Sequence, residues 1–233
     1  MQLSSTQHSR MAESQAYCIN LDSRPDKWKD TQDAFASSGI SLKRFSGIRN
    51  AEGWRGCGAS HVAIAREAIR HGLPYVIIVE DDCIPSSDFA ARWPAVLAAL
   101  QSDSGWDMFL GGPTHVQGPI SLRGSLIEIE RGFALHFYVL KACAYEKAIA
   151  WNADRHGPID VYYSDQFRVV TTRPVLAIQR PSKSDIRDED MDYTEFFEET
   201  NTTLDKLLYS VRTRHATIIL FGLSLFLIVL VLR

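Results

Sequence analysis

Apolar and polar positions alternate in short blocks along this 233-residue chain. Ala16 to Leu21 is an apolar run that ends in the polar turn Asp22-Ser23-Arg24-Pro25-Asp26, which predicts a strand and then a turn with Pro25 placed to open a helix. From Lys27 to Ser37, Trp28, Thr31, Ala34 and Phe35 form a modest helical stripe that Gly39 closes. Leu42 to Phe45 predicts a second strand. Ala51 to Gly58 reads as a glycine-rich loop, with Ser60 as the N-cap of a helix over Val62 to His71. Tyr75-Val-Ile-Ile-Val79 is a continuous apolar run of the kind buried on both faces of a sheet, and it stops abruptly at Glu80-Asp81-Asp82. Asp88 caps the next helix, in which Phe89, Trp93, Val96, Leu97 and Leu100 recur at helical spacing.

Trp106 to Leu110 predicts a further strand. Leu126 to Ile129 and Leu135 to Leu140 predict an antiparallel pair, followed by helices over Ala142 to Trp151 and Asp160 to Val169. Pro174 to Gln179 predicts a last strand. Strands alternating with helices imply an α/β fold built on a mixed, mostly parallel central sheet.

The two ends differ from this pattern. Residues 1–15 are polar, rich in Ser and Gln, and predict a disordered leader without the apolar run of a secretory signal. Residues 16–187 form the predicted domain and residues 188–214 a stem, with an amphipathic helix over Tyr193 to Leu208. Residues 215–233 are a predicted carboxy-terminal anchor. Ala216 to Leu232 carries no charge and only Thr217 and Ser224 as polar residues. As a helix it spans about 25 Å, the short limit for a bilayer core. Lys206, Arg212 and Arg214 before the span outnumber Arg233 after it, which predicts that the domain lies on the cytoplasmic side.

Composition adds exclusions. The chain is 45% hydrophobic and 23% charged, a globular balance, and a net charge of −3 gives no reason to expect nucleic acid as a partner. Cys18, Cys57, Cys83 and Cys143 lack metal-ligand spacing and read as small hydrophobes in a reducing compartment. Asn201-Thr202-Thr203 is a glycosylation sequon, usable only in a lumenal domain.

Chemistry concentrates in three places. Ligands of open α/β sheets bind outside the carboxyl ends of strands, where the acid triplet stands. Strand alternation sends Glu80 and Asp82 to one side and Asp81 to the other. Two carboxylates on one side call for a cation between them, and the alternative is a solvated acidic turn. Arg55-Gly-Cys-Gly-Ala-Ser-His61 offers glycines ahead of a helix, an arrangement suited to phosphate, although His61 reads equally as a structural histidine. Gly157-Pro-Ile-Asp160 precedes Asp165. Asp160 suits a general base or a helix N-cap.

These residues together resemble glycosyltransferase family 25, which contains lipooligosaccharide β-galactosyltransferases and procollagen galactosyltransferases. The matching segments are Tyr17 to Lys27, Gly56-Cys-Gly-Ala-Ser-His61 and Val76 to Asp82. Weaker matches are Trp106 to Gly111, His136 to Leu140, Pro158-Ile-Asp160 and Gln179 to Ile186, all in the family's order over about residues 16 to 187. The resemblance implies a GT-A-like fold and an inverting, metal-dependent transfer of a sugar, galactose first, from a UDP-sugar donor. The acceptor would be a hydroxyl of a glycan, lipooligosaccharide or protein. It implies Mn²⁺ or Mg²⁺ held by Glu80 and Asp82, with His136 completing the shell. Asn20, Arg24, Ser60, His61 and Asp81 would bind the donor, and Ser184 and Asp185 would close a loop over it. Asp160 is the first choice for the catalytic base and Asp165 the second. The alternative is a membrane-bound module that binds a sugar nucleotide or glycan without turnover.

Overall fold

The computed structural model describes residues 14–180, 182–183, 190–191, 198 and 200–206. The leader up to residue 13, most of the predicted stem, the whole of the predicted anchor, and Ser184 and Asp185 lie outside them. Among the described residues no helix is long and apolar enough to cross a membrane.

The chain begins β1 (Ser14–Asn20), α1 (Pro25–Phe35), β2 (Ile40–Ser46), α2 (Gly53–Arg70), β3 (Tyr75–Glu80), β4 (Cys83–Pro85) and α3 (Phe89–Ser102). It continues through β5 (Met108–Leu110), β6 (Thr114–Arg123), β7 (Leu126–Phe133) and β8 (Phe137–Lys141). Short helices α4 (Tyr145–Ile149), α5 (Ala153–His156) and α6 (Ile159–Gln166) lead to β9 (Val169–Thr171) and β10 (Ala177–Gln179). Eight strands make one mixed sheet in the order β2-β1-β3-β8-β5-β9-β7-β6, and β10 pairs with β4 in a separate ribbon. The pairs β1–β2, β1–β3 and β5–β9 are parallel. β8 runs antiparallel to both β3 and β5, and β7 antiparallel to β6 and β9. Parallel pairing thus prevails at the edge where β3 delivers the acid triplet.

The apolar run of β3 is buried on both faces, as its composition predicts. Val76 and Ile78 join Val62, Ile64, Ala65 and Ala68 of α2 with Tyr138 and Tyr163 on one side. Ile77 and Val79 join Phe35 of α1, Phe89 and Trp93 of α3, and Phe137 on the other. Phe137 stands edge-on to Phe89 and Trp93, with ring centroids 5.4 and 5.6 Å apart. Burial of a ring of this size contributes about 1.5–3 kcal/mol, and edge contacts add about 0.5–1.5 kcal/mol. The helical residues 200–206 also reach this core, where Leu204 is fully buried.

Several elements depart from the hydrophobic pattern. The segment predicted as a glycine-rich loop is the first two turns of α2, and Ser60 sits inside the helix rather than at its cap. Its glycines serve close packing. A Cβ on Gly56 would lie 2.3 Å from the carbonyl oxygen of Ile48, and one on Gly58 would lie 2.4 Å from the Trp151 ring. The two segments predicted as an antiparallel pair are not partners: β7 pairs with β6, and β8 inserts between β3 and β5. The pattern hides β6 because it is largely exposed, contains Gly118 and Pro119, and shifts register twice against β7. The helix predicted to reach Val169 ends at Gln166, because Val169 to Thr171 are fully buried as a strand beside β5.

Candidate functional site

β1 and β3 end side by side, with Ile19 opposite Glu80 in the parallel register. The backbone after β2 returns to this point, where Gly47 N donates to Asn20 O at 2.9 Å. These ends, the first turns of α2 and the segment 47–51 enclose a cavity of about 660 Å³. Glu80, Asp81 and Asp82 all line it, together with Lys27, Cys57 and Ser60. The site therefore lies at the carboxyl ends of parallel strands, where the fold class places ligands.

The three acids have different environments. Burial opposes the Glu80 charge, but His61 Nε2 at 3.0 Å from Glu80 Oε1, with further help from His136 and the Cys57 thiol, holds its carboxyl below the ordinary range. Asp81 turns toward α1. Its Oδ2 accepts from Asn20 Nδ2 at 2.7 Å and its Oδ1 lies 3.8 Å from Lys27 Nζ. Burial still raises its carboxyl, more than these partners lower it. Burial raises Asp82 furthest, the Glu80 charge adds to it, and a hydrogen bond from Gln179 opposes it, leaving the carboxyl at about 7. Gln179 Nε2 donates to Asp82 Oδ2 at 2.9 Å. Asp82 Oδ1 is buried with no hydrogen-bond partner among the described residues.

An unpartnered hard oxygen beside a second carboxylate is a donor set suited to a divalent cation such as Mn²⁺ or Mg²⁺. Glu80 and Asp82 would hold it. His136 is next in the structure: its carbonyl accepts from Glu80 N at 2.9 Å, and its ring Nε2 lies 3.3 Å from Ala177 O. Burial lowers the pKa of His136, against the pull of the Glu80 charge. Among the described residues, however, the ligand atoms that converge within 4.8 Å of one another belong to Cys57, His61 and Glu80, a set without Asp82 or His136.

The other expected site residues divide by what already occupies their polar atoms. Asn20 is 1% exposed and its amide is spent on the scaffold. Its Nδ2 donates to Arg24 O as well as to Asp81, and its Oδ1 accepts from Arg44 Nε at 2.8 Å. Arg24 pairs with Asp26 and is close enough to Asp81 to lower its carboxyl. Ser60 Oγ donates to Gly56 O and accepts from Ile48 N, both at 2.8 Å, and so pins α2 to the cavity wall. His61 is fully buried, with Nδ1 2.9 Å from Tyr138 Oη, and meets the site through Glu80. Burial raises the Asp160 carboxyl, and the Glu80 charge adds to the rise, which places Asp160 within electrostatic reach of the acids. Asp160 Oδ1 also accepts from Val161 N at 2.9 Å. Asp165 is exposed and paired with Arg131 at 2.6 Å, and neither Asp165 nor Asp160 is among the residues that line the cavity.

Cys57, Lys27 and Gln179 are the members that sequence reasoning does not single out. Cys57 and His61 are four apart, so on a helix they share a face, a signal hidden when the segment is read as a loop. Nothing in the sequence announces Gln179, because its approach to Asp82 depends on the β10–β4 pairing.

No family model matches the sequence, and no curated protein is significantly similar to it. Solved structures are similar in fold. A glycosyltransferase involved in the glycosylation of the major capsid of PBCV-1 has 9% identity and a TM-score of 0.50 over 81% of this chain and 98% of its own. A197 from STIV has 12% identity and a TM-score of 0.43 over 78% and 99%. Mannose-1-phosphate geranyltransferase from Thermus thermophilus has 10% identity and a TM-score of 0.39 over 70% and 74%. The chain thus shares its mixed α/β fold with the first of these.

Proposed function

We propose that the chain is a metal-dependent glycosyltransferase that takes a sugar from a UDP-sugar and passes it, with inversion, to a hydroxyl acceptor. The observation that carries this reading is the buried Asp82 Oδ1, without a hydrogen-bond partner among the described residues, near Glu80 in the wall of a ligand-sized cavity. Glu80 and Asp82 would hold the cation, which when bound would neutralise the charge that develops on the departing diphosphate. Lys27, on the cavity wall, adds positive charge on the same side. Asp160 accepts the proton of the incoming hydroxyl. A base raised by burial toward the working pH suits that task. Galactose as the sugar, and a glycan, lipooligosaccharide or protein as the acceptor, rest on the resemblance to family 25. Attachment to the cytoplasmic face of a membrane rests on the sequence of residues 216–232.

The test is a panel of nucleotide sugars with the full chain and Mn²⁺, read by thermal shift and by release of the nucleoside diphosphate. UDP-galactose is expected to stabilise the protein and to be turned over. Asp160→Asn is expected to keep donor binding and lose about 10²- to 10⁴-fold in turnover. Stabilisation by no nucleotide sugar overturns the reading. Binding without release of nucleotide, on any acceptor, replaces it with the binding-module alternative.

A further inference from the structure

We infer that Cys57, His61 and Glu80 form a three-ligand site for a zinc-class transition ion, sharing only Glu80 with the hard-cation pair proposed above. One ligand atom of each residue lies within 4.8 Å of the other two. Cys57 and His61 come from successive turns of α2, and Glu80 from the end of β3. Ordinary zinc bond lengths in a tetrahedron set edges of about 3.4 Å between nitrogen and oxygen and about 3.6 Å between sulfur and oxygen. His61 Nε2 lies 3.0 Å from Glu80 Oε1, and Cys57 Sγ lies 3.6 Å from the same oxygen. Two of the three edges thus stand near tetrahedral values, and the third, between Cys57 and His61, is within 4.8 Å.

The histidine is already oriented. Tyr138 Oη meets Nδ1 at 2.9 Å and leaves Nε2 facing the carboxylate, the outer hydrogen bond by which ligating histidines are generally fixed. Cys57 and Glu80 also line the cavity, so the fourth coordination position opens onto it. On binding, the Cys57 thiol releases its proton to solvent. The imidazole proton then resides on Nδ1, donated to the Tyr138 oxygen, and the Nε2 lone pair is free to ligate. Thiolate and imidazole together favour Zn²⁺ or Co²⁺ over Mn²⁺ or Mg²⁺. The site needs nothing from the transferase reading. Only its consequence, that zinc and the hard cation exclude one another at Glu80, rests on that reading.

Cobalt is the probe, because a Co²⁺–thiolate bond gives a charge-transfer absorption in the near ultraviolet. Metal-free full chain titrated with Co²⁺ is expected to develop that band at one equivalent and lose it when Zn²⁺ is added. Cys57→Ser, and Cys57→Ala as a second variant, should abolish the band in protein shown by circular dichroism to be folded. His61→Gln should weaken binding at least 10-fold. Asp82→Asn should leave the band in place. Absence of a band in the wild type, or a band that survives loss of Cys57, overturns the inference. A chain that shows the band yet binds no nucleotide sugar keeps this site and removes the transferase proposal. Sugar transfer without the band does the reverse.

Discussion

Substituting Asp82 with asparagine removes a charge that the fold holds at a cost, and the size of that cost follows from the site. The carboxyl lies at about 7 in the folded protein against 3.8 for an ordinary aspartate, raised first by burial and then by Glu80. The folded chain therefore keeps a proton that the unfolded chain has released. Stability falls as pH rises from 3.8 through about 7, and the full deficit is present above that. At about 1.36 kcal/mol per pH unit the ceiling is about 4 kcal/mol, and access of water through the cavity lowers it to on the order of 2 kcal/mol. Asparagine keeps an oxygen to accept from Gln179 and places no charge against Glu80. The assay is urea unfolding of wild type and Asp82→Asn at pH 5 and pH 8 with a chelator present, repeated with Mn²⁺. Without the cation the variant should be the more stable protein at pH 8, by on the order of 2 kcal/mol, with a smaller gap at pH 5. With Mn²⁺ only the wild type should gain stability, by mass action on the native state. A variant no more stable than wild type at pH 8, or one that Mn²⁺ stabilises equally, refutes the reasoning.

Two further outcomes test the scaffold. Gly56→Ala sets a helix-propensity gain of about 1 kcal/mol against a Cβ placed 2.3 Å from the Ile48 carbonyl oxygen and 3.1 Å from Asn50 N. Backbone atoms cannot swing away, so the clash should win, at a net cost of about 1–3 kcal/mol in urea unfolding; a stabilised variant would mean that α2 is free to shift. Asp107→Asn should flatten the acid limb of stability. Its hydrogen bond from Arg168 holds the Asp107 carboxyl at about 2, so the contribution is present above about pH 4 and is lost as pH falls through 2. Because the Arg168 side chain is 54% exposed, the effect is on the order of 1 kcal/mol; identical pH profiles for wild type and variant would contradict it.

The sequence shows most of what has a strong local signature. The β3 run and the acid triplet at its end follow from residue order alone, whereas the separate surroundings of the three acids do not, because β3 ends at Glu80 and Asp81 and Asp82 lie in a turn to which strand alternation does not apply. The class of fold follows from the alternation of elements. What is not legible depends on contacts between distant segments. β6 is polar and irregular, so only its pairing with β7 makes it a strand. The glycines of α2 read as loop formers until the 47–51 segment and Trp151 are seen lying against them. The same misreading hides Cys57, since its relation to His61 exists only on a helix. Asn20 carries the opposite lesson. Its position beside the acids suggests a ligand contact, but three hydrogen bonds inside the scaffold already use its amide.

The backbone of the acid triplet is moored from three separate directions. Thr31 Oγ1 donates to Asp81 O at 2.6 Å, Arg180 N donates to Asp82 O at 2.6 Å, and Glu80 N donates to His136 O at 2.9 Å. None of these moorings uses a carboxylate. These three bonds are borne by main-chain atoms of the triplet, so exchanging an acid's side chain leaves them in place. For protein engineering, that makes the turn a socket: alternative side chains can be displayed there one by one, on a main chain that arrives already set.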